Sequence, residues 1–312
     1  MIKKITLQIA TCTLLLTLLV VQQSNGNTRA NIQGIMDSNA KVEKLSDGLK
    51  FTEGPVWDKS GFLLFSDIPA DTIYKLDNGK LSVFRRPAGN PNGNTFDELG
   101  RLITAQHNRQ LVRTEKDGKT TILAQNFQGK RLNSPNDVVV KSDGSIYFTD
   151  PPYGIDKGKE ELGFYGIYRL TPNKNLVLLS KEMVRPNGLA FSPDEKTLYV
   201  TDSEQMHIRA FDVKSDGTLT NSRIFAELKE PKDKGVPDGM KVDVKGNIYC
   251  SGPEGVWVFS PKGQLLGKIF VPEVVTNLAW GDKDYKTLYI TAGKGVYRIR
   301  LKIAGIQPGK RN

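Results

Sequence analysis

Short apolar runs recur along the chain in a fixed relation to polar turns. "PVW", "NTF", "VVV", "LAF", "MKV" and "LAW" each precede a second run. Those second runs are "GFLLFSD" from Gly61, "GRLITAQ" from Gly100, "GSIYFTD" from Gly144, "KTLYVTD" from Lys196, "GNIYCSG" from Gly246 and "KTLYITA" from Lys286. The first runs are three residues long and the second seven; both are rich in β-branched and aromatic side chains, and most are bounded by Gly, Asp, Asn or Pro. That is the pattern of strands joined by tight turns. A third run follows most of them ("TIYKLD", "GIYRLTP", "GVWVFSPKG", "GVYRIRLK"). A fourth often comes next ("LSVFRR", "TTILAQ", "LVLLSK", "LLGKIFV").

Four short strands repeated six times at a spacing of 39 to 52 residues predict an all-β, six-bladed β-propeller with four antiparallel strands per blade. The last unit lacks a clear fourth strand. Residues 40–46, "AKVEKLS", alternate like a strand and are expected to supply it. Pairing the two chain ends in this way would remove an exposed sheet edge.

The first 26 residues do not fit the repeat. "MIKK" is a basic start, Ile5 to Val21 is largely apolar, and "SNG" offers small residues for cleavage. This reads as a secretory signal peptide over 1–26, followed by a propeller over 27–312. An uncleaved anchor is the alternative, since the apolar run approaches a spanning length. Cleavage would make the protein exported, periplasmic or secreted, with no membrane segment left. It also leaves 286 residues, about 48 for each of six units.

Charge and cysteine content narrow the partners. The formal charge of +10 falls to +8 without Lys3 and Lys4. The remaining Lys and Arg are scattered through turns, with no basic run interleaved with aromatics, so no nucleic acid partner is expected. Cys12 lies in the leader, which leaves Cys250 alone and the mature chain without an internal disulfide.

Aligning the units on their second strands exposes a second regularity. The residue that starts each innermost strand is Glu53, Asn92, Asn136, Asn187, Asp238, and Thr276 or Asn277. Innermost strands surround the channel of a propeller, so these side chains converge on its axis. Asn and Asp alone could be turn formers; Glu53 is a poor one. Two converging carboxylates repel unless a cation lies between them. Carboxylate and amide oxygens suit Ca²⁺, with another divalent cation possible, and the lack of His and Cys in the ring argues against zinc or copper.

With the repeat and the ring in view, the sequence resembles the SMP-30/gluconolactonase/LRE family, which includes regucalcin. The resemblance rests on "EGPVW", "LLFSDIP", "LNSPNDVVVKSDGSIYFTDPPYG", "RPNGLAFSPDEKTLYVTDS" and "PDGMKVD", and favours the bacterial gluconolactonase branch. It implies a six-bladed propeller with one catalytic divalent ion, and hydrolysis of sugar lactones or related esters. Carried over by position, it implies Glu53, Asn136, Asn187 and Asp238 as metal ligands. Regucalcin has an Arg two residues before the Asn that matches Asn136. This chain has Ser134 there, with Arg131 and Asn133 upstream.

Other hydrolase designs lack support. There is no G-x-S-x-G elbow, P-loop or G-x-G-x-x-G. A calcium-dependent lactonase needs only the ion and a carboxylate as base or nucleophile, for which Asp238 is the choice. Asn92, Asn133, Arg131 and His107 are candidate substrate contacts, and His207 is expected to be peripheral. The repeated Asp at the second-strand end (Asp67, Asp150, Asp202) reads as structural. Two alternatives stay open at this point: phosphotriester hydrolysis at the same ion, and a calcium- or sugar-binding propeller without catalysis.

Overall fold

The computed structural model describes residues 32–309, so the leader assigned to 1–26 lies outside the described residues. Blade one comprises Thr52–Asp58, Phe62–Asp67, Thr72–Asp77 and Lys80–Arg85. Blade two is Pro91–Phe96, Leu102–Gln106, Gln110–Thr114 and Thr120–Ala124. Blade three is Val138–Val140, Ile146–Asp150, Gly166–Leu170 and Leu176–Ser180. Blade four is Pro186–Phe191, Thr197–Asp202, His207–Val213 and Leu219–Glu227. Blade five is Met240–Val242, Ile248–Gly252, Gly255–Phe259 and Leu265–Phe270. Blade six runs Val275–Gly281, Thr287–Ala292 and Gly295–Arg300, and Glu43–Ser46 lies antiparallel to Gly295–Arg300 as its outermost strand.

Burial explains the sequence pattern. Second strands such as Ile146–Asp150 and Ile248–Gly252 are buried along their whole length, because a neighbouring blade covers each sheet face. They therefore read as continuous apolar runs rather than alternating ones. Outer strands such as Lys80–Arg85 face water and carry charge.

The core is divided into six layers, one between each pair of adjacent blades. Tyr147 and Ile167 of blade three, for example, meet Leu189, Phe191 and Val200 of blade four. Leu63 and Phe65 of blade one meet Ala279, Tyr289 and Val296 of blade six, and Trp57 stacks on Tyr289 at 5.1 Å. Trp57 is thus core.

The turn between first and second strands uses one device throughout. An Asp at its start accepts the amide two residues on: Asp58 from Ser60, Asp143 from Ser145, Asp194 from Lys196, Asp243 from Lys245. A left-handed residue closes the turn, between the two in blades three, four and six (Gly144, Glu195, Tyr285) and one position further on in blades one, two and five (Gly61, Gly100, Gly246). Blades four and six do this without glycine, at Glu195 (φ 55°) and Tyr285 (φ 53°).

Other described segments lie outside the repeat. A two-residue hairpin, Asn126–Phe127 with Lys130–Arg131, precedes blade three. Residues 301–309 cross the end of the channel remote from the polar ring. There Ile306 donates to the Val242 carbonyl, Val244 donates to the Ala304 carbonyl, and Gly305 lies against Trp280. Beneath this tail is a cavity of about 580 Å³ that includes Lys241, Trp280 and Tyr285 in its wall.

The Asp that ends the second strand is a clamp on the segment entering the same blade. Asp67 accepts the Lys50 and Phe51 amides. Asp150 accepts the Asn133 amide at 2.8 Å. Asp202 accepts four, from Val184, Arg185, Glu204 and Gln205. Gln106 takes the position in blade two and donates to the Ala88 carbonyl. Asp202→Asn replaces an acceptor by a donor facing an amide. Chemical denaturation should show about 2–3 kcal/mol of lost stability; a loss below about 0.5 kcal/mol would mean the clamp is not needed.

Candidate metal centre in the channel

The ring residues sit where the strand ladder is interrupted. The pairing of first and second strands skips between Glu53 and Val56, Pro91 and Asn94, Pro186 and Leu189, and Val275 and Asn277. In blades three and five the ladder begins only after the ring, at Val138 and Met240. Bulges of this kind re-aim side chains, and here they release the ring residues from the sheet face.

Close approach of neighbouring strands accompanies the bulges. A Cβ on Gly54 would stand 2.0 Å from the Asn92 carbonyl oxygen, and one on Gly239 would stand 2.1 Å from the Asn277 side chain. This is why a glycine follows Glu53 and Asp238 in the sequence. Blade three breaks the rule with Asp137, whose carboxylate lies across Gly93.

Hydrogen bonds stitch the ring from blade to blade. The Ser66 hydroxyl donates to the Asn92 carbonyl at 2.7 Å, Thr149 to the Asn187 carbonyl at 2.6 Å, and Thr201 to the Asp238 carbonyl at 2.9 Å. Thr276 donates to the Thr52 carbonyl at 2.8 Å. The Gly93 amide donates to the Asn136 carbonyl, and the Gly239 amide to the Thr276 carbonyl. Main-chain groups at or next to each ring residue are thus tied to a neighbouring blade.

Glu53 is 2 % exposed. Its Oε2 accepts the Gly54 amide at 2.7 Å and Asn277 Nδ2 at 3.2 Å, so Asn277 is the blade-six side chain that reaches it. Burial pushes the Glu53 carboxyl up to about 7, and the charge of Asp137 adds to the effect. Asp238 is raised well above the carboxylate range by burial first, then by Glu53 and Asp137. Its amide donates to Ser251 Oγ at 2.7 Å. Three carboxylates therefore share one electrostatic environment. The third, Asp137, escaped the sequence reading because four of the equivalent positions are glycine.

The donor set fits a hard cation. At the ring, the buried acceptor oxygens without a protein partner are Asn92 Oδ1, Asn187 Oδ1, Asp137 Oδ2 and Asp238 Oδ1; Asn133 Oδ1 and Asp150 Oδ1 are two others at blade three. Orphaned acceptors are costly in a protein interior. Among the described residues, no group of three His, Cys, Asp or Glu is close enough to hold an ion alone. The unpartnered set at the ring is mixed, with Asn92 and Asn187 amide oxygens beside Asp137 and Asp238 carboxylates, and such oxygen-only sets suit Ca²⁺ chemistry.

The remaining candidates divide. Asn92 Nδ2 donates to His107 Nε2 at 3.0 Å, and burial lowers the His107 imidazolium to about 4. His107 is therefore a neutral acceptor beside the ring. Asn133 is fully buried, with its amide donating to the Asp150 and Phe164 carbonyls; it ties down the segment ahead of Asn136. Arg131 is exposed in the extra hairpin, its amide bonded to Glu161. His207 is buried at the start of a third strand, away from the ring.

Raised carboxyls make the cation-free protein sensitive to base. The folded state holds a proton on Glu53 that the unfolded chain releases near its ordinary value of 4.5. Stability is then full below that value and falls as pH rises towards about 7. In chelator, the thermal midpoint should drop between about pH 5 and pH 8. A midpoint that rises over this interval would show that the ring acids are already stabilised as anions.

Residues 51–294 match the SMP-30/Gluconolactonase/LRE-like region. A gluconolactonase from Zymomonas mobilis subsp. mobilis is 34 % identical over 303 residues, covering 88 % of this chain and 85 % of that protein. A gluconolactonase from Xanthomonas campestris superposes with a TM-score of 0.81 at 35 % identity, over 88 % of this chain and 93 % of the other. Regucalcin from Agrobacterium tumefaciens, a calcium-binding protein, shares the fold at a TM-score of 0.75 and 19 % identity, over 88 % and 98 % of the two chains. The six stitched blades, the polar ring and these matches place the chain in the SMP-30/gluconolactonase/LRE-like family.

Proposed function

We propose that the protein is a calcium-dependent lactonase acting on sugar lactones. The observation that carries this reading is the convergence of Glu53, Asp137 and Asp238 beside unpartnered amide oxygens in one channel. The likeness to two gluconolactonases supports the substrate class. The regucalcin likeness extends only to fold, so calcium rests on the donor chemistry.

Glu53, Asn136, Asn187 and Asp238 would hold the ion. When bound, calcium supplies polarisation of a carbonyl and neutralises developing negative charge. The chain's own residues do the rest. Asp238, held by Ser251 and Thr201 through its main chain, takes a proton from the attacking water as the water oxygen bonds the lactone carbon. The ring C–O bond then breaks, and the proton passes from Asp238 to the leaving alkoxide, which gives a hydroxy acid. Glu53, bonded to Gly54 and Asn277, is locked and serves as an anchor. Asn92, its amide nitrogen committed to His107, presents Oδ1 to a substrate hydroxyl.

Acid release from gluconolactone should stop in chelator and return with calcium. Asp238→Asn keeps an oxygen for the ion but removes the base, and turnover should fall by about 10²–10⁴-fold. Glu53→Gln should weaken calcium binding first, with activity partly restored by excess calcium. Parental turnover by calcium-saturated Asp238→Asn would refute the role of Asp238. Flat traces on every lactone with calcium bound would instead indicate a binding protein.

A further inference from the structure

We propose that Arg185 selects lactones carrying a second, anionic group, a carboxylate or phosphate at the end of the sugar chain remote from the reacting carbonyl. This rests on the lactonase reading above and deepens it.

Arg185 is held through its main chain. Its amide donates to Asp202 Oδ1, and its carbonyl accepts the Ser203 amide at 3.1 Å. The residue is two positions before Asn187, on the segment that enters blade four at the ring end of the channel. The backbone that presents this side chain is therefore rigid, although the side chain itself is exposed.

The guanidinium lies over the ring of Tyr153, 5.5 Å from its centroid. Tyr153 belongs to the long loop between the second and third strands of blade three, and is itself 39 % exposed. Its hydroxyl accepts from Asn187 Nδ2 at 3.5 Å. A continuous path thus runs from a ring residue, along one phenol, to a cation at the rim. A substrate with its carbonyl at the ring would lay its far end along Tyr153 towards Arg185.

Charge at the rim favours the same ligand. Arg185 has no carboxylate partner among the ion pairs of the described residues. Glu204, which senses it, is bonded to Lys232 at 2.9 Å. The same approach segment carries Lys181, whose ammonium lies over Phe164 of the same loop at 5.5 Å. Both cations rest on aromatic faces, where the charge stays available to a ligand. A planar guanidinium with free donors matches carboxylate and phosphate oxygens in a two-pronged geometry.

Three probes test this with the full-length enzyme: neutral gluconolactone, glucarolactone for the carboxylate, and phosphogluconolactone for the phosphate. The parent enzyme should show a lower KM for at least one anionic probe, and that preference should fade as salt is added. Arg185→Met keeps the apolar stem over Tyr153 and should raise the KM of the preferred anionic lactone about tenfold or more. The neutral lactone should lose several-fold less, and Arg185→Lys should recover part of the loss. Lys119→Met, which removes an equal charge in a distant turn, should leave the ratio between probes as it is. Equal loss for neutral and anionic lactones in Arg185→Met, or no anionic preference in the parent, would overturn the proposal alone. Failure to hydrolyse any of the three would overturn the lactonase reading and this proposal with it.

Discussion

Repulsion among Glu53, Asp137 and Asp238 is the constraint around which this propeller is built. Glu53 and Asp238 are both raised by burial and by the charge of Asp137, and Asp238 by Glu53 as well. Left alone, like charges in a low-dielectric space would drive the inner strands apart. The hydroxyl and amide bonds that pass from each blade to the next ring carbonyl resist this. The Asp clamps hold the segments that enter the same strands at the ring end. Six apolar layers then fix blade against blade.

The same constraint makes the site useful. Groups held close against their repulsion bind a cation without reorganising, and preorganised polar sites are what electrostatic catalysis requires. The local rules that are broken at the ring, its interrupted ladders and its strand approach too close for a Cβ, serve that placement. Violations of local regularity concentrated at one place are expected at a functional site.

Repetition made most of this legible in the sequence. Six aligned units pointed to the blades, and aligning their starts singled out Glu53, Asn136, Asn187 and Asp238 as candidates. What occurs once was harder to read. Asp137 replaces the glycine of four other blades, so aligning the units did not mark it as a ring carboxylate. The second-strand hydroxyls Ser66, Thr149 and Thr201 were visible as a repeat, but only the geometry shows that they bond the next blade. Asn133 looked like a substrate contact because it lies near Asn136, yet its amide supports the loop. The rim loop with Tyr153 and the tail over the far mouth have no counterparts elsewhere in the chain, so no comparison between units could place them.

The most direct test of the account is anomalous diffraction from crystals soaked in a calcium-mimicking lanthanide. One strong peak should lie on the propeller axis, at about 2.3–2.6 Å from oxygens of Glu53, Asn136, Asn187 and Asp238. A channel without a peak, or an ion held elsewhere while these oxygens contact only water, would contradict it.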